Sequence, residues 1–436
     1  MEISKYIIST EVDESIILYS TLTTALISID KNSYNSIFIK KDFSNEGLCS
    51  SLLKMGFIEN SEGEQLKLIE ELREKDILSP VQTIVVYTTN RCNARCYYCF
   101  ERGIKQVDMT RATADKLLDF ISLRFPQKDL SISWFGGEPL YNFDIIVYIT
   151  QKLIELGYNL YAHITTNGSL IDEDKISFFK KYYRELSIQV TIDDVGEKYN
   201  KIKSYIDIKD RSPFDMVISN CKLILQNDIK LSIRINYNTY EIDRTINIYK
   251  QLKSYFENDN KNNLRLYLAA ITMTEDYINL HTESKEEHAD NLFKALAFAS
   301  EQGLYNPRAT DERQRLLSAY CLLPKPSSCA ACRKNYLTVD AEGYIYKCHR
   351  LQKYERYRIG SVYNGLKKTN YVDKFEDYHV YQEKCKECNI LPICQQGCFA
   401  VKELYDQDLD CETKEVQEEL LLKYFKDLKR LSKCDL

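Results

Sequence analysis

Cys92-Asn-Ala-Arg-Cys96-Tyr-Tyr-Cys99 sets three thiols at i, i+4 and i+7 of one short loop. Thiolates at that spacing suit three irons of a cubane cluster and leave the fourth iron without a protein ligand, open to substrate or cofactor. The plainer alternative, a zinc loop, wants four ligands, usually as paired CxxC. A second group crowds the last third of the chain: Cys321, Cys329, Cys332, Cys348, Cys385, Cys388, Cys394, Cys398, Cys411 and Cys434. There the Cys385-x2-Cys388 pair keeps zinc open as a reading. The N-terminus shows neither a basic n-region nor an apolar signal stretch, so the 15 cysteines are expected in a reducing cytoplasm. Clustered thiols in that setting point to metal or redox chemistry before disulfides. Cys49 and Cys221 fit no pattern and are expected as small core residues.

Polar residues at the ends of apolar runs extend the array. Gly136-Gly137-Glu138-Pro139 joins glycines that permit close backbone approach to a carboxylate that can accept from an ammonium group. Taken alone it also reads as an ordinary turn with a surface Glu. Thr165-Thr166-Asn167-Gly168 closes another run. Alternate strand residues share a face, so Gln189, Thr191 and Asp193 project together, as do Arg234 and Asn236. Arg234 there suits a carboxylate gripped by two N–H groups, or an ion pair with Asp193 inside the fold. His163 is expected to be structural, and so is His349, although beside Cys348 it can tune a cluster.

Elements that position these residues are legible in the hydrophobic pattern. Residues 1–80 show three β-patterned runs (Lys5–Ser9, Ser15–Ser20, Ala25–Asp30) and then helical spacing at Ser33–Lys40, Gly47–Met55 and Glu64–Lys75. Ser79-Pro80 ends the last helix. From 81 to 305 strands alternate with helices: Thr83–Thr88, Leu130–Phe135, Leu160–Thr165, Leu186–Ile192, Leu231–Asn236 and Leu264–Ala269 are the expected strands. Arg111–Arg124, Ile145–Leu156, Glu173–Tyr183, Phe214–Gln226, Ile242–Phe256 and Glu286–Gln302 are the expected helices. Six β/α repeats with right-handed crossovers make an α/β fold, a partial (β/α)6 TIM-like barrel whose loops after the strands gather on one face. From 306 to 436 the periodicity fails and thiols dominate, as in a segment organised around metal. Only Lys414–Leu431 keeps helical spacing.

Composition narrows the partners. Lys+Arg 59 against Asp+Glu 64 leaves a net charge of −5, with no basic footprint for nucleic acid. No apolar stretch approaches the ~20 residues of a membrane span.

The CX3CX2C loop, with Tyr98 before its third cysteine, resembles the signature of radical S-adenosylmethionine (SAM) enzymes. The resemblance implies that Cys92, Cys96 and Cys99 hold a [4Fe-4S] cluster. Its open iron chelates the amino and carboxylate groups of S-adenosylmethionine, and one electron then yields methionine and a 5′-deoxyadenosyl radical. Gly136 to Pro139 resembles the motif that holds the methionyl amine. Thr166, Asn167, Gln189 and Asp193 fall where the family lines the ribose and the substrate, and Arg234 with Asn236 would face the methionyl carboxylate. The later cysteines resemble the seven-cysteine SPASM extension, which carries two auxiliary [4Fe-4S] clusters, making three in all. By resemblance one auxiliary cluster takes Cys385, Cys388, Cys394 and Cys411. The other takes Cys332, Cys348 and Cys398, with Cys329, Cys321 or an open position as fourth.

SPASM members mostly modify peptides or proteins. Residues Ile16 to Asp30 resemble the start of peptide maturases, where a leader-recognition module often sits; a plain cap on the barrel is the alternative. The resemblance therefore implies a maturase acting on a leader-bearing precursor peptide, supplied with electrons by a reductant such as flavodoxin or ferredoxin, with a thioether crosslink as the favoured product. Formylglycine formation on a sulfatase is the runner-up, and a non-catalytic metal protein the alternative from another class. The chain departs from the family at Asp193-Asp194 and Tyr199-Asn200 with Lys203, where members often show Asp-Gly and then His-Asp with a basic residue.

Overall fold

The computed structural model describes residues 1–238, 241–259, 262–271, 285–302, 323–372, 380–405, 418–419 and 422. They fall into two compact units: Met1–Ser79 with Ser284–Arg333 and Glu376–Leu436, and Pro80–Glu283 with Lys334–Phe375. This grouping interleaves the three consecutive segments expected from the sequence, because the cysteine-rich stretch contributes to both units. Cys321, Cys411, Cys434 and most of Lys414–Leu431 lie outside the described residues.

In the first unit β1 (Glu2–Ile3) pairs with β5 (Ile58–Glu59), and β2 (Ile7–Val12), β3 (Ser15–Ser20) and β4 (Leu26–Asp30) form an antiparallel sheet in that order. The alternation of β3 divides its side chains between two cores. Ile16 and Leu18 pack with Ile29, Ile37, Leu52 and Phe57, under α1 (Glu46–Met55), which Asn45 caps by accepting from the Leu48 N–H. Tyr19 points the other way and meets Ile390 and Ile393, with Cys388 and Cys394 against the same cluster. A third cluster joins Tyr6 and Ile69, the latter on α2 (Glu64–Ile77), to Tyr381 and Leu391, with Cys385 alongside. The N-terminal module and the Cys385–Cys394 segment thus share buried surface.

In the second unit β6 (Thr83–Thr89), β7 (Asp129–Gly136), β8 (Asn159–Thr166), β9 (Glu185–Thr191), β10 (Lys230–Tyr237) and β11 (Leu264–Ala270) are parallel and adjacent in sequence order. Between them run α3 (Arg111–Arg124), α4 (Phe143–Glu155), α5 (Glu173–Tyr182), α6 (Gly196–Lys203), α7 (Pro213–Gln226) and α8 (Ile242–Tyr255). Thr110, Asp172 and Ser212 start α3, α5 and α7 by accepting an N–H from the first turn. β7, β8 and β10 alternate strictly. On β7, β8 and β10 the residues Ile132, Ile164 and Ile233 are fully buried, while Ser133, His163, Thr165, Arg234 and Asn236 on the opposite face are only partly covered. A parallel sheet packed on both faces reads as continuous apolar runs; here one face carries polar groups because it lines a hollow.

The sheet does not end at β6. β12 (Tyr336–Val339) pairs parallel with it, and β13 (Tyr344–Tyr346), β14 (Gly360–Ser361) and β15 (Gly365–Leu366) continue antiparallel, giving ten strands. The β12–β13 turn is built by Asp340, whose carboxylate accepts from the Glu342 and Tyr344 N–H groups. Sequence reasoning passed over this hairpin because the thiols around it suggested metal-organised chain. Among the described residues no helix is long and apolar enough to cross a membrane.

Candidate functional site

The hollow of the second unit is a cavity of about 880 Å³. Cys92, Cys96 and Cys99 all line it, together with Tyr98, Gly136, Gly137, Thr166, Asn167, Gln189, Arg234 and Asn236. Three residues expected in the site, Glu138, Pro139 and Asp193, lie behind that lining rather than on it. Sheet register explains the convergence: Ser133 stands beside His163, Thr165 beside Gln189, and Thr191 beside Arg234.

The cysteine loop leaves the end of β6 and crosses over the end of β7. Gly136 has φ +132°, and a Cβ on it would meet the Thr89 carbonyl oxygen at 2.2 Å, so the crossing requires glycine. Behind it Glu138 is fully buried. Its carboxylate accepts from the Thr166 hydroxyl at 2.7 Å and from the Asn167 and Leu140 N–H groups at 2.8 and 3.2 Å. Burial outweighs these donors and pushes its pKa up to about 7. Glu138 thus ties the ends of β7 and β8 together, where an amine-binding carboxylate was expected. Asn167 in turn donates to the Asn93 side chain at 2.8 Å, and Asn93 donates to Ser169 at 2.9 Å, tethering the loop next to Cys92.

Burial, joined at Cys92 by the charge of Glu138, pushes the Cys92 and Cys99 thiols up to about 12. A metal is therefore needed to draw out these protons, and coordination deprotonates such thiols outright. Among the described residues no three His, Cys, Asp or Glu side chains crowd closely enough to share a single metal ion. The loop thiols instead face one cavity, a donor set that fits a cluster giving each thiolate its own iron.

Around the thiols stand two histidines that the sequence reading expects to be structural, and Glu101, which it passes over. His163 lines the cavity and shares a hydrogen bond with Ser187; its i, i+2 relation to Thr165 was the available signal. His349 packs against Phe135 at 5.3 Å between ring centroids. Burial, with the charges of Arg350 and Arg234, lowers its pKa to about 4, so it is neutral. Glu101 has its pKa pushed up to about 8 by burial, and its Oε1 is buried without a hydrogen-bond partner. Arg234 does not pair with Asp193. Its Nε donates to Asn236 Oδ1 at 2.7 Å, while Asp193 pairs with Lys203 at 2.8 Å and accepts from the Tyr98 hydroxyl. In the cysteine-rich stretch Cys332 is buried and Cys329 and Cys398 are exposed. Cys332 belongs to the first unit and Cys348 to the second.

Residues 86–252, from β6 into α8, match the radical SAM superfamily. The chain carries a radical SAM domain. Two curated relatives match most of it. The cysteine-type anaerobic sulfatase-maturating enzyme of Clostridium novyi is 23% identical over 75% of this chain and 90% of its own length. The radical SAM cyclopropyl synthase TigE of Paramaledivibacter caminithermalis is 24% identical over 92% of this chain and 90% of its own. Two solved structures share the fold. anSMEcpe with bound AdoMet and Cp18Cys peptide superposes with a TM-score of 0.61 at 16% identity, covering 80% of this chain and 99% of that one. Streptococcus suis SuiB bound to precursor peptide SuiA superposes at 0.51 and 16%, covering 93% and 97%. A radical SAM domain implies a [4Fe-4S] cluster and S-adenosylmethionine, and the three loop thiols that line one cavity are a donor set such a cluster would fit.

Proposed function

We propose that the chain is a peptide maturase, and that its radical chemistry acts on a ribosomally made, leader-bearing precursor. Coverage carries this reading. SuiB, solved with a precursor peptide, and the cyclopropyl synthase align over more than nine-tenths of the chain, whereas anSMEcpe aligns over 80%. In its favour too, the N-terminal sheet has β2 and β4 as its edges, and an extended peptide can add to such an edge through main-chain hydrogen bonds. A bound cluster would supply the one-electron reducing power that cleavage of S-adenosylmethionine requires. The protein's part is to hold the reactants: Arg234 presents a guanidinium to a carboxylate, and Gln189 and Thr191 offer polar contacts from the cavity wall. The auxiliary clusters are assigned to Cys385, Cys388, Cys394 and Cys411, and to Cys332, Cys348 and Cys398 with Cys329, Cys321 or an open position as fourth. A thioether crosslink is the proposed product, with a reductant of the flavodoxin or ferredoxin type supplying electrons.

The test is anaerobic incubation of the reconstituted enzyme with S-adenosylmethionine, a reductant and a short cysteine-bearing peptide encoded beside its gene, followed by fragment mass spectrometry. Loss of two hydrogens within a fragmentation-resistant segment containing the cysteine supports the thioether. The same loss in a segment without cysteine sulfur points to carbon–carbon closure, the chemistry that the cyclopropyl synthase is named for. 5′-Deoxyadenosine with an unchanged peptide sends the search to a sulfatase peptide, the second reading, which the relative in Clostridium novyi favours.

A further inference from the structure

Lys203 is the last residue of α6, and only 2% of its side chain is exposed. A buried ammonium is costly unless charge and hydrogen bonds compensate it. Here they do. Nζ stands 2.8 Å from Asp193 Oδ2 and donates to the Tyr98 hydroxyl at 2.9 Å, while that hydroxyl donates to the same carboxylate. The three side chains close a buried triangle across α6, the end of β9 and the cysteine loop.

Two of Lys203's links grip that loop on either side of Cys96. Tyr98 follows Cys96 by two residues, and the backbone N–H of Arg95, just before it, donates to the Lys203 carbonyl at 2.7 Å. The ammonium lines the same cavity as the thiols. Burial works against its charge, but Asp193, Cys96 and Tyr98 together more than offset that, and its positive charge is also felt at Cys99.

We infer that Lys203 is a positioning residue of the cysteine loop: through Arg95 and Tyr98 it fixes Cys96, and its ammonium stabilises the negative charge gained there when a bound cluster is reduced. The inference rests on the cluster that superfamily membership implies and is independent of the peptide substrate. A plain ion pair that merely stabilises the fold is the competing account.

The test uses the full chain, reconstituted anaerobically. Lys203→Met combined with Asp193→Asn removes both charges together and leaves no carboxylate buried alone; Lys203→Arg keeps the charge. Three quantities are read: melting temperature by circular dichroism, iron per chain, and the midpoint potential of the cluster whose EPR signal responds to S-adenosylmethionine. The folded double variant is expected either to lose that cluster's iron or to hold it at a more negative potential, with Lys203→Arg near the native values. A folded double variant with native iron and native potential would overturn the inference, as would a Lys203→Arg protein displaced as far as the double variant. If the double variant does not fold, Tyr98→Phe decides, because it cuts the ammonium's tie to the loop, leaving the Arg95 backbone link and the ion pair whole. Reduced iron retention at an unchanged melting temperature supports the inference, and unchanged iron overturns it.

Discussion

Gly137 passes directly beneath Arg91, so closely that a β-carbon on the glycine would meet the arginine's carbonyl oxygen at 2.3 Å and its carbonyl carbon at 2.6 Å. Both obstructing atoms are backbone, and no rotamer change can clear them. Gly137→Ala must therefore lift the cysteine loop off the end of β7. We expect a loss of about 1–3 kcal/mol in stability, the usual cost of overpacking, and a larger effect on metal. Iron per chain should fall while the iron proposed for the C-terminal cysteines is retained; an unchanged iron content would show that the loop accommodates the methyl elsewhere.

Arg234 reaches the cavity with its Nε already committed to Asn236. Hydrogen bonds to charged groups contribute about 1.5–3 kcal/mol, so Arg234→Gln should weaken S-adenosylmethionine binding roughly tenfold to a hundredfold. Lys in its place keeps a charge but lacks the fork and should fall between the two. Anaerobic equilibrium dialysis of the iron-loaded protein measures this directly.

His163 supplies a pH dependence whose sign can be stated. Burial lowers its pKa below the ordinary 6.5, so the unfolded chain takes up the proton first. Stability is then full above pH 6.5 and declines as the pH falls beneath it. Urea midpoints of the wild type should drop between pH 7 and pH 5 more steeply than those of His163→Gln, and parallel curves would dismiss the effect.

Tyr19 is 1% exposed and packs on Ile390 and Ile393. Truncating a buried aromatic to alanine costs about 3–5 kcal/mol. Tyr19→Ala should accelerate amide hydrogen exchange at residues 390–394, some 370 positions away in sequence, and leave β7 and β8 protected. Uniform acceleration would mean that the two units unfold together.

Much of this arrangement was legible before the fold was seen, for reasons visible in particular residues. Period-2 alternation in Ser232-Ile-Arg234-Ile-Asn236 set both the strand and the direction of its polar groups, and β10 spans it. The bounds of α3 were also read correctly, from Arg111 to Arg124, because helical spacing begins just after a capping Thr. What stayed hidden depends on contacts distant in sequence. Nothing local tells that Asp193 takes Lys203 as partner in place of Arg234, since the two lie ten positions apart with nearly the whole of α6 between them. Likewise Glu138 has the residue type of an amine ligand, and only the approach of Thr166 and Asn167 shows that it also ties two strand ends together. The Asp340 hairpin was missed for another reason: its flanking thiols outweighed its turn chemistry.

The strict alternation of the central strands separates two kinds of change open to this protein over generations. Ile132, Ile164 and Ile233 hold the helices to the sheet, and an exchange there is felt as stability. Ser133, Gln189 and Thr191 face the hollow and contribute little to that packing, so they can be replaced with the scaffold intact. The protein can drift toward a new substrate one inward residue at a time, without ever passing through an unfolded ancestor.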